Sequence, residues 1–142
     1  MIRHAASTDL AAIRRLIAEL DYAPPVDLEV RLKHLMEHPD EVLLVYERDG
    51  EVIAFLSLHF IPQIAVMGDF ARISYFAVDG TARGGGIGRL LEEHITALAR
   101  ERGCDRIEVH CHTRRTRAHR FYERQGYAES PKYLHKSLRG MR

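Results

Sequence analysis

The chain contains no tryptophan, only two cysteines, and only three lysines among its 21 basic residues. Cys104 and Cys111 are too few for a disulfide scaffold and show no metal-site spacing. No run approaches the roughly 20 apolar residues that a membrane-spanning helix needs. The longest, such as Val42–Tyr46 and Ala54–Leu56, are strand-sized. The first residues, Met1 to Asp9, contain no apolar stretch of the kind that directs export. No repeat, low-complexity tract or Pro/Gly/Ser-rich linker divides the sequence. These absences predict a single domain over residues 1–142, cytoplasmic and without a membrane partner. With 46% hydrophobic and 29% charged residues, 142 residues suffice for one buried core.

The net charge of +1 conceals a split. Residues 1–82 carry 7 basic and 13 acidic side chains, whereas residues 83–142 carry 14 basic and 7 acidic ones. Such asymmetry suits a polyanionic ligand on the second half and a cationic one on the first. Intermixing of the two sets on one folded surface is the competing reading.

Periodicity gives the element order. Met1–Ala5 reads as a short strand. Ser7, Thr8 and Asp9 offer capping side chains, and Leu10, Ile13, Leu16, Ile17 and Leu20 follow at helical spacing. Pro24 and Pro25 break that helix, and a second is expected over Asp27–Glu37. Glu41–Arg48 and Glu51–Ile61 are strand-like and flank Asp49-Gly50, a strong hairpin signal. Pro62–Phe70 reads as a loop and Arg72–Val78 as a strand. A helix is expected over Ile87–Arg102, a strand over Arg106–His112, a helix over Thr116–Gln125 and a last strand over Tyr127–Leu138. The pattern predicts an α/β fold of the α+β type: a mixed, mostly antiparallel central sheet with helices on both faces.

The most informative segment joins the Arg72–Val78 strand to the following helix. Gly84, Gly85, Gly86 and Gly88 stand within five positions, bracketed by Arg83 and Arg89. Consecutive N–H groups without side chains can close around a phosphate, and a helix N-terminus adds favourable partial charge. A nucleotide-binding P-loop is excluded, because Gly86 and Ile87 stand where Lys and Ser/Thr are required. A dinucleotide fingerprint fails too, since Arg89 occupies the third glycine's place and no second βαβ half follows.

The pattern that fits is Arg83-x-x-Gly86-x-Gly88 preceded by Phe76-Ala77-Val78, together with Arg115-x-x-Ala118-x-x-Phe121-Tyr122-Glu123-x-x-Gly126-Tyr127. In these two elements the chain resembles the GNAT superfamily of acetyl-CoA-dependent N-acetyltransferases. The resemblance implies that acetyl-CoA is the co-substrate, that residues 84–89, Ile87 included, bind the coenzyme A pyrophosphate, and that Phe76, Ala77 and Val78 lie along its pantetheine arm. Ala118 and Phe121 belong to the second cofactor-binding element. Where the family often has Asn, this chain has Arg115, which suits the 3′-phosphate or pyrophosphate instead.

Family roles also imply the chemistry. A backbone N–H of Ala77 or Val78 is expected to bond the thioester oxygen. Tyr122 occupies the place of the proton donor to the leaving thiolate; its competing reading is a core aromatic beside Phe121. Relatives use a strand Glu as general base, but Arg72–Val78 has no carboxylate. His59 is the leading substitute, because imidazole exchanges its proton near neutral pH. His110, His112, Glu108 and unassisted loss of the proton to water stay open. His59, His110 and His112 form no compact metal motif, so no metal is expected.

The expected function is N-acetyltransfer to a primary amine, most simply of a small molecule, by direct attack in a ternary complex. Ser57-Leu-His59 and the stretch Ala118–Tyr127 are similar to aminoalkylphosphonate N-acetyltransferases, and Arg114, Arg115 or Arg117 would then meet the phosphonate. A non-catalytic acetyl-CoA-binding sensor or subunit is the alternative. A nucleic-acid partner is not expected, for lack of a recognised module. An exposed strand near Lys132–Leu138 would allow a homodimer.

Overall fold

Asp49 and Gly50 set the centre of the fold. Both take positive φ, 53° and 79°, as a two-residue hairpin turn requires. The structure, a computed structural model, describes residues 1–111, 115–130 and 133–139. In chain order its elements are β1 (Ile2–His4), a 3-10 turn at Ser7–Asp9, α1 (Leu10–Glu19), α2 (Leu28–Glu37), β2 (Glu41–Arg48) and β3 (Glu51–Ile61). These are followed by β4 (Phe70–Val78), a 3-10 turn at Gly80–Ala82, α3 (Ile87–Glu101), β5 (Arg106–Val109) and α4 (Thr116–Arg124). Two units result, Met1–Val109 and His110–Arg142.

In the first unit five strands pair in sequence order, antiparallel from β1 to β4 and parallel between β4 and β5. Strand alternation sorts the core into two layers. Leu43, Val45, Phe55 and Ala77 face one way and pack with Ile13 and Leu16 of α1 and Leu32 of α2. Leu44, Leu56 and Leu58 face the other way, the side served by Leu91 and Ile95 of α3; all five are fully buried. Helices thus cover both faces, as expected.

Two β-bulges interrupt the alternation. One lies between Tyr46 and Glu47, opposite Ala54 and Val52. The other lies between Ser57 and Leu58, which pair with Tyr75 and Ile73 and so leave Ser74 as the extra residue on β4.

Three expectations need correction. Asp9 is not an N-cap that reaches forward; its carboxylate reaches back to accept from the Ala6 N–H at 2.7 Å and pairs with Arg3 at 2.8 Å. Strand β5 ends at Val109 rather than continuing to residue 112, which lies outside the described residues together with 113 and 114. No strand forms among the described residues of 127–138; Pro131 and Lys132 lie outside them. Leu134 and Leu138 are 84% and 86% exposed, so no apolar face is buried to favour strand pairing there. The edge on which the homodimer expectation rested is therefore absent from the described residues.

Candidate active site

The glycine-rich turn is held in place from α1. Asp79, which follows β4, accepts from the Thr81 N–H at 2.9 Å and from the Thr81 hydroxyl at 2.8 Å, and pairs with Arg15 at 2.5 Å. Arg15 also donates to the Val52 carbonyl at 3.0 Å, and the Glu19 carboxylate accepts from the Gly80 N–H at 3.3 Å. The Thr81 bonds first, and Arg15 after them, hold the Asp79 carboxyl down to about 2. The sign follows: this side chain stabilises the fold above the ordinary carboxyl range, and the effect is lost as pH falls towards 2. Asp79→Ala is expected to cost about 1 kcal/mol of stability at pH 7, as for a lost cap. Its melting temperature should converge on that of the wild type as pH drops below 4, which thermal denaturation across pH checks.

Beyond the cap, Gly84 and Gly86 have φ of 87° and 80°. Gly86 is the N-cap of α3, and Ile87, 4% exposed, anchors the helix start in the core. A Cβ built on Gly84 or Gly86 would meet nothing within 4 Å. Protein packing therefore does not demand these glycines; their backbone faces open space at a helix N-terminus, and the arrangement fits a phosphate group. Of the bracketing cations, Arg83 donates from Nε to the Val78 carbonyl at 3.3 Å and Arg89 pairs with Glu93 at 3.0 Å one helical turn on.

Strand β4 leads into this turn. Its parallel ladder with β5 ends at Ile73 opposite Val109, while β4 itself runs five residues further, to Val78. The Asp79 N–H donates to the Ile53 carbonyl at 2.8 Å. Alternation then turns the Ala77 N–H towards β3 and the Val78 N–H towards the opposite edge. Between the two residues expected to serve the thioester oxygen, the strand geometry favours Val78.

A row of polar side chains crosses the sheet on the face covered by α1 and α2. Glu41 pairs in register with His59, His59 with Arg72, and Arg72 with Glu108. His59 Nδ1 contacts the Glu41 carboxylate, and its Nε2 lies 2.5 Å from the Ser74 hydroxyl. Arg72 donates twice to one Glu108 oxygen, at 3.1 and 2.7 Å. Tyr75, two residues beyond Ile73 on β4, meets Tyr22 of the α1–α2 connection edge-to-face at 5.4 Å.

This arrangement sorts the candidate bases. Glu108 is occupied by Arg72, and the His110 ring lies against Tyr133 at 4.3 Å. His112 lies outside the described residues, as does Arg114. His59 alone among the described candidates has a carboxylate on one nitrogen and a hydroxyl on the other. Glu41 and Ser74, the two partners of His59, were not singled out in the sequence. Burial pushes the thiols of Cys104 and Cys111 up, away from the thiolate form of a nucleophile. Among the described residues no three His, Cys, Asp or Glu side chains gather as a metal site, and no helix is long and apolar enough to cross a membrane.

The second unit holds the remaining expected residues. Arg115 stands exposed at the N-cap position of α4, and Arg117 is exposed on its first turn. Ala118 and Phe121 are partly buried, and Tyr122 is buried. The Tyr122 ring meets Phe121 and Tyr127 edge-to-face, each at 5.2 Å. Part of the acidic set is paired within the first unit: Asp40 and Asp69 pair with Arg102, and Asp9 and Glu47 with Arg3.

The model of the acetyltransferase (GNAT) family matches residues 10–127. Aminoalkylphosphonate N-acetyltransferase of Salmonella typhimurium is 31% identical, over 91% of this chain and 85% of its own length. Mycothiol acetyltransferase of Beutenbergia cavernae is 32% identical over 71% of this chain, which spans about a third of that relative's length, 33%. A crystal structure described as a transcriptional regulator from Bacillus halodurans C-125 superposes with a TM-score of 0.89 at 28% identity, over 97% of this chain and 99% of that one.

Proposed function

The chain belongs to the acetyltransferase (GNAT) family, an acetyl-CoA-dependent family, and from that premise we propose that it transfers the acetyl group to the primary amine of a small molecule by direct attack in a ternary complex. The observation that carries this reading is the open backbone of Gly84 and Gly86 at the start of α3, directly after a strand that outruns its parallel neighbour. Residues 84–89 hold the pyrophosphate through backbone N–H groups, and Phe76–Val78 line the pantetheine arm. Acetyl-CoA supplies an activated thioester. The Val78 N–H polarises its oxygen as negative charge develops there. Tyr122 donates a proton to the sulfur, because a phenol is protonated at neutral pH. His59 takes the proton from the amine, which enters on the side of Tyr22 and Tyr75. Arg115, at the α4 N-cap, pairs with a cofactor phosphate, and the 31% identical relative makes aminoalkylphosphonates the first acceptors to try.

If His59 is the base, the pH–rate profile should show a rising limb that His59→Gln removes, with turnover falling about 10²–10⁴-fold. The charged groups beside it are Glu41 on β2 and Arg72 on β4, the latter held by Glu108. An unaltered limb and height in His59→Gln would assign deprotonation to the amine's own equilibrium with water.

A second reading has its own observation: the 28% identical neighbour is described as a transcriptional regulator. On that reading the protein binds acetyl-CoA as a sensor and transfers nothing.

A further inference from the structure

We propose that Glu41 is a positioning residue that fixes His59 with its proton on Nδ1, and that Ser74 relays the acceptor's proton to His59 Nε2. The proposal rests on His59 being the base, and it adds the path by which the proton arrives.

The three residues sit on three successive strands, and each bulge has a part in bringing them together. The bulge near Tyr46 and Ala54 shifts the β2–β3 register so that Glu41 stands opposite His59. The bulge on β4 takes Ser74 out of the ladder, between Ile73 and Tyr75, and turns its hydroxyl to His59. Bulges recur beside active sites because the unpaired residue can re-aim its side chain.

The hydrogen positions follow from the chemistry of the partners. An ionised carboxylate only accepts, so the contact with Glu41 places the proton on Nδ1. A neutral ring protonated there presents a lone pair at Nε2. The Ser74 hydroxyl, 2.5 Å away, is its donor; the competing acceptor, the Ser57 carbonyl, is at 3.5 Å, the outer limit for such a bond. Ser74 Oγ keeps lone pairs for a hydrogen of the incoming amine, and Ser74 is exposed where His59 and Glu41 are half-buried.

As the amine nitrogen bonds the acetyl carbon, its N–H breaks and that proton passes to Ser74 Oγ. The Ser74 proton moves to His59 Nε2, giving an imidazolium whose charge Glu41 offsets. The carbon–sulfur bond breaks with its electron pair on sulfur, which takes a proton from Tyr122. His59 and Tyr122 return to their starting states by exchange with solvent. Arg72, next to His59 in register, does not oppose the imidazolium strongly, because Glu108 neutralises it at 2.7 Å.

The tautomer can be read by ¹⁵N NMR on the whole, ligand-free protein, before any acceptor is known. Wild type should show His59 protonated at Nδ1 and pyridine-like at Nε2. Glu41→Gln, whose amide can donate to Nδ1, should admit the other tautomer and lower kcat about 10²-fold with KM little changed. Ser74→Ala should keep the wild-type tautomer yet lose turnover, and Ser74→Thr should restore the rate. A wild-type ring protonated at Nε2 overturns the proposal, as does a Ser74→Ala variant with wild-type kcat. Recovery of acetylated Ser74 by mass spectrometry after incubation with acetyl-CoA also overturns it, since Ser74 would then be a nucleophile. Silent Glu41 and Ser74 variants beside an impaired His59→Gln sink the relay alone. An unimpaired His59→Gln sinks the base assignment itself.

Discussion

Tyr122→Phe is expected to bind acetyl-CoA about as well as wild type and to turn over about 10²–10⁴-fold more slowly, the range for loss of a general acid. The substitution removes one oxygen and keeps the ring, so the edge-to-face contacts with Phe121 and Tyr127 at 5.2 Å should persist. Ring packing is therefore kept, and what the variant removes is the hydroxyl with its proton. Without it the leaving group departs as a bare thiolate. Thiol-release kinetics alongside calorimetric binding separate the two effects. Near-normal turnover in the Phe variant would return Tyr122 to the role of a buried aromatic in its own unit.

Gly86→Val should weaken acetyl-CoA binding by about 10–100-fold. A β-branched residue at φ 80° strains the fold by roughly 1–2 kcal/mol in the free and the bound state alike, which leaves affinity unchanged. The side chain enters the open space in front of the backbone N–H groups, with loss of at least one charged hydrogen bond worth about 1.5–3 kcal/mol. Each 1.4 kcal/mol is tenfold in affinity. No protein atom lies within 4 Å of that Cβ, so the cost to the fold is the strain at φ 80° and not a clash. Equal affinity in Gly86→Val and wild type would move the phosphates elsewhere.

Much of this was legible from residue patterns. Asp49-Gly50 identified the hairpin, and both its strands have the expected bounds. The glycine run before Ile87 marked the start of α3, which begins at that residue. The relay was not legible, for a definite reason. Counting outward from a two-residue turn, as Arg48 opposite Glu51 and Glu47 opposite Val52 do, puts Glu41 opposite Leu58. That residue faces the other side of the sheet. Only the bulge, which advances the register by one, sets Glu41 against His59. A second bulge does the same for Ser74, and neither has a glycine or proline at its position to announce it. Among the described residues of 127–138 no strand forms for the opposite reason: Tyr133, Leu134 and Leu138 stay exposed, so no partner buries an apolar face there.

The reading as an enzyme stands or falls on thiol release. The protein is incubated with acetyl-CoA and a panel of primary amines, aminoalkylphosphonates first, then aminoglycosides, polyamines and peptide N-termini, and free coenzyme A is followed at varied concentrations of both substrates. Direct attack in a ternary complex predicts amine-dependent release with initial-rate lines that intersect. Tight binding of acetyl-CoA with no release above the amine-free rate for any acceptor would contradict the account and leave a sensor.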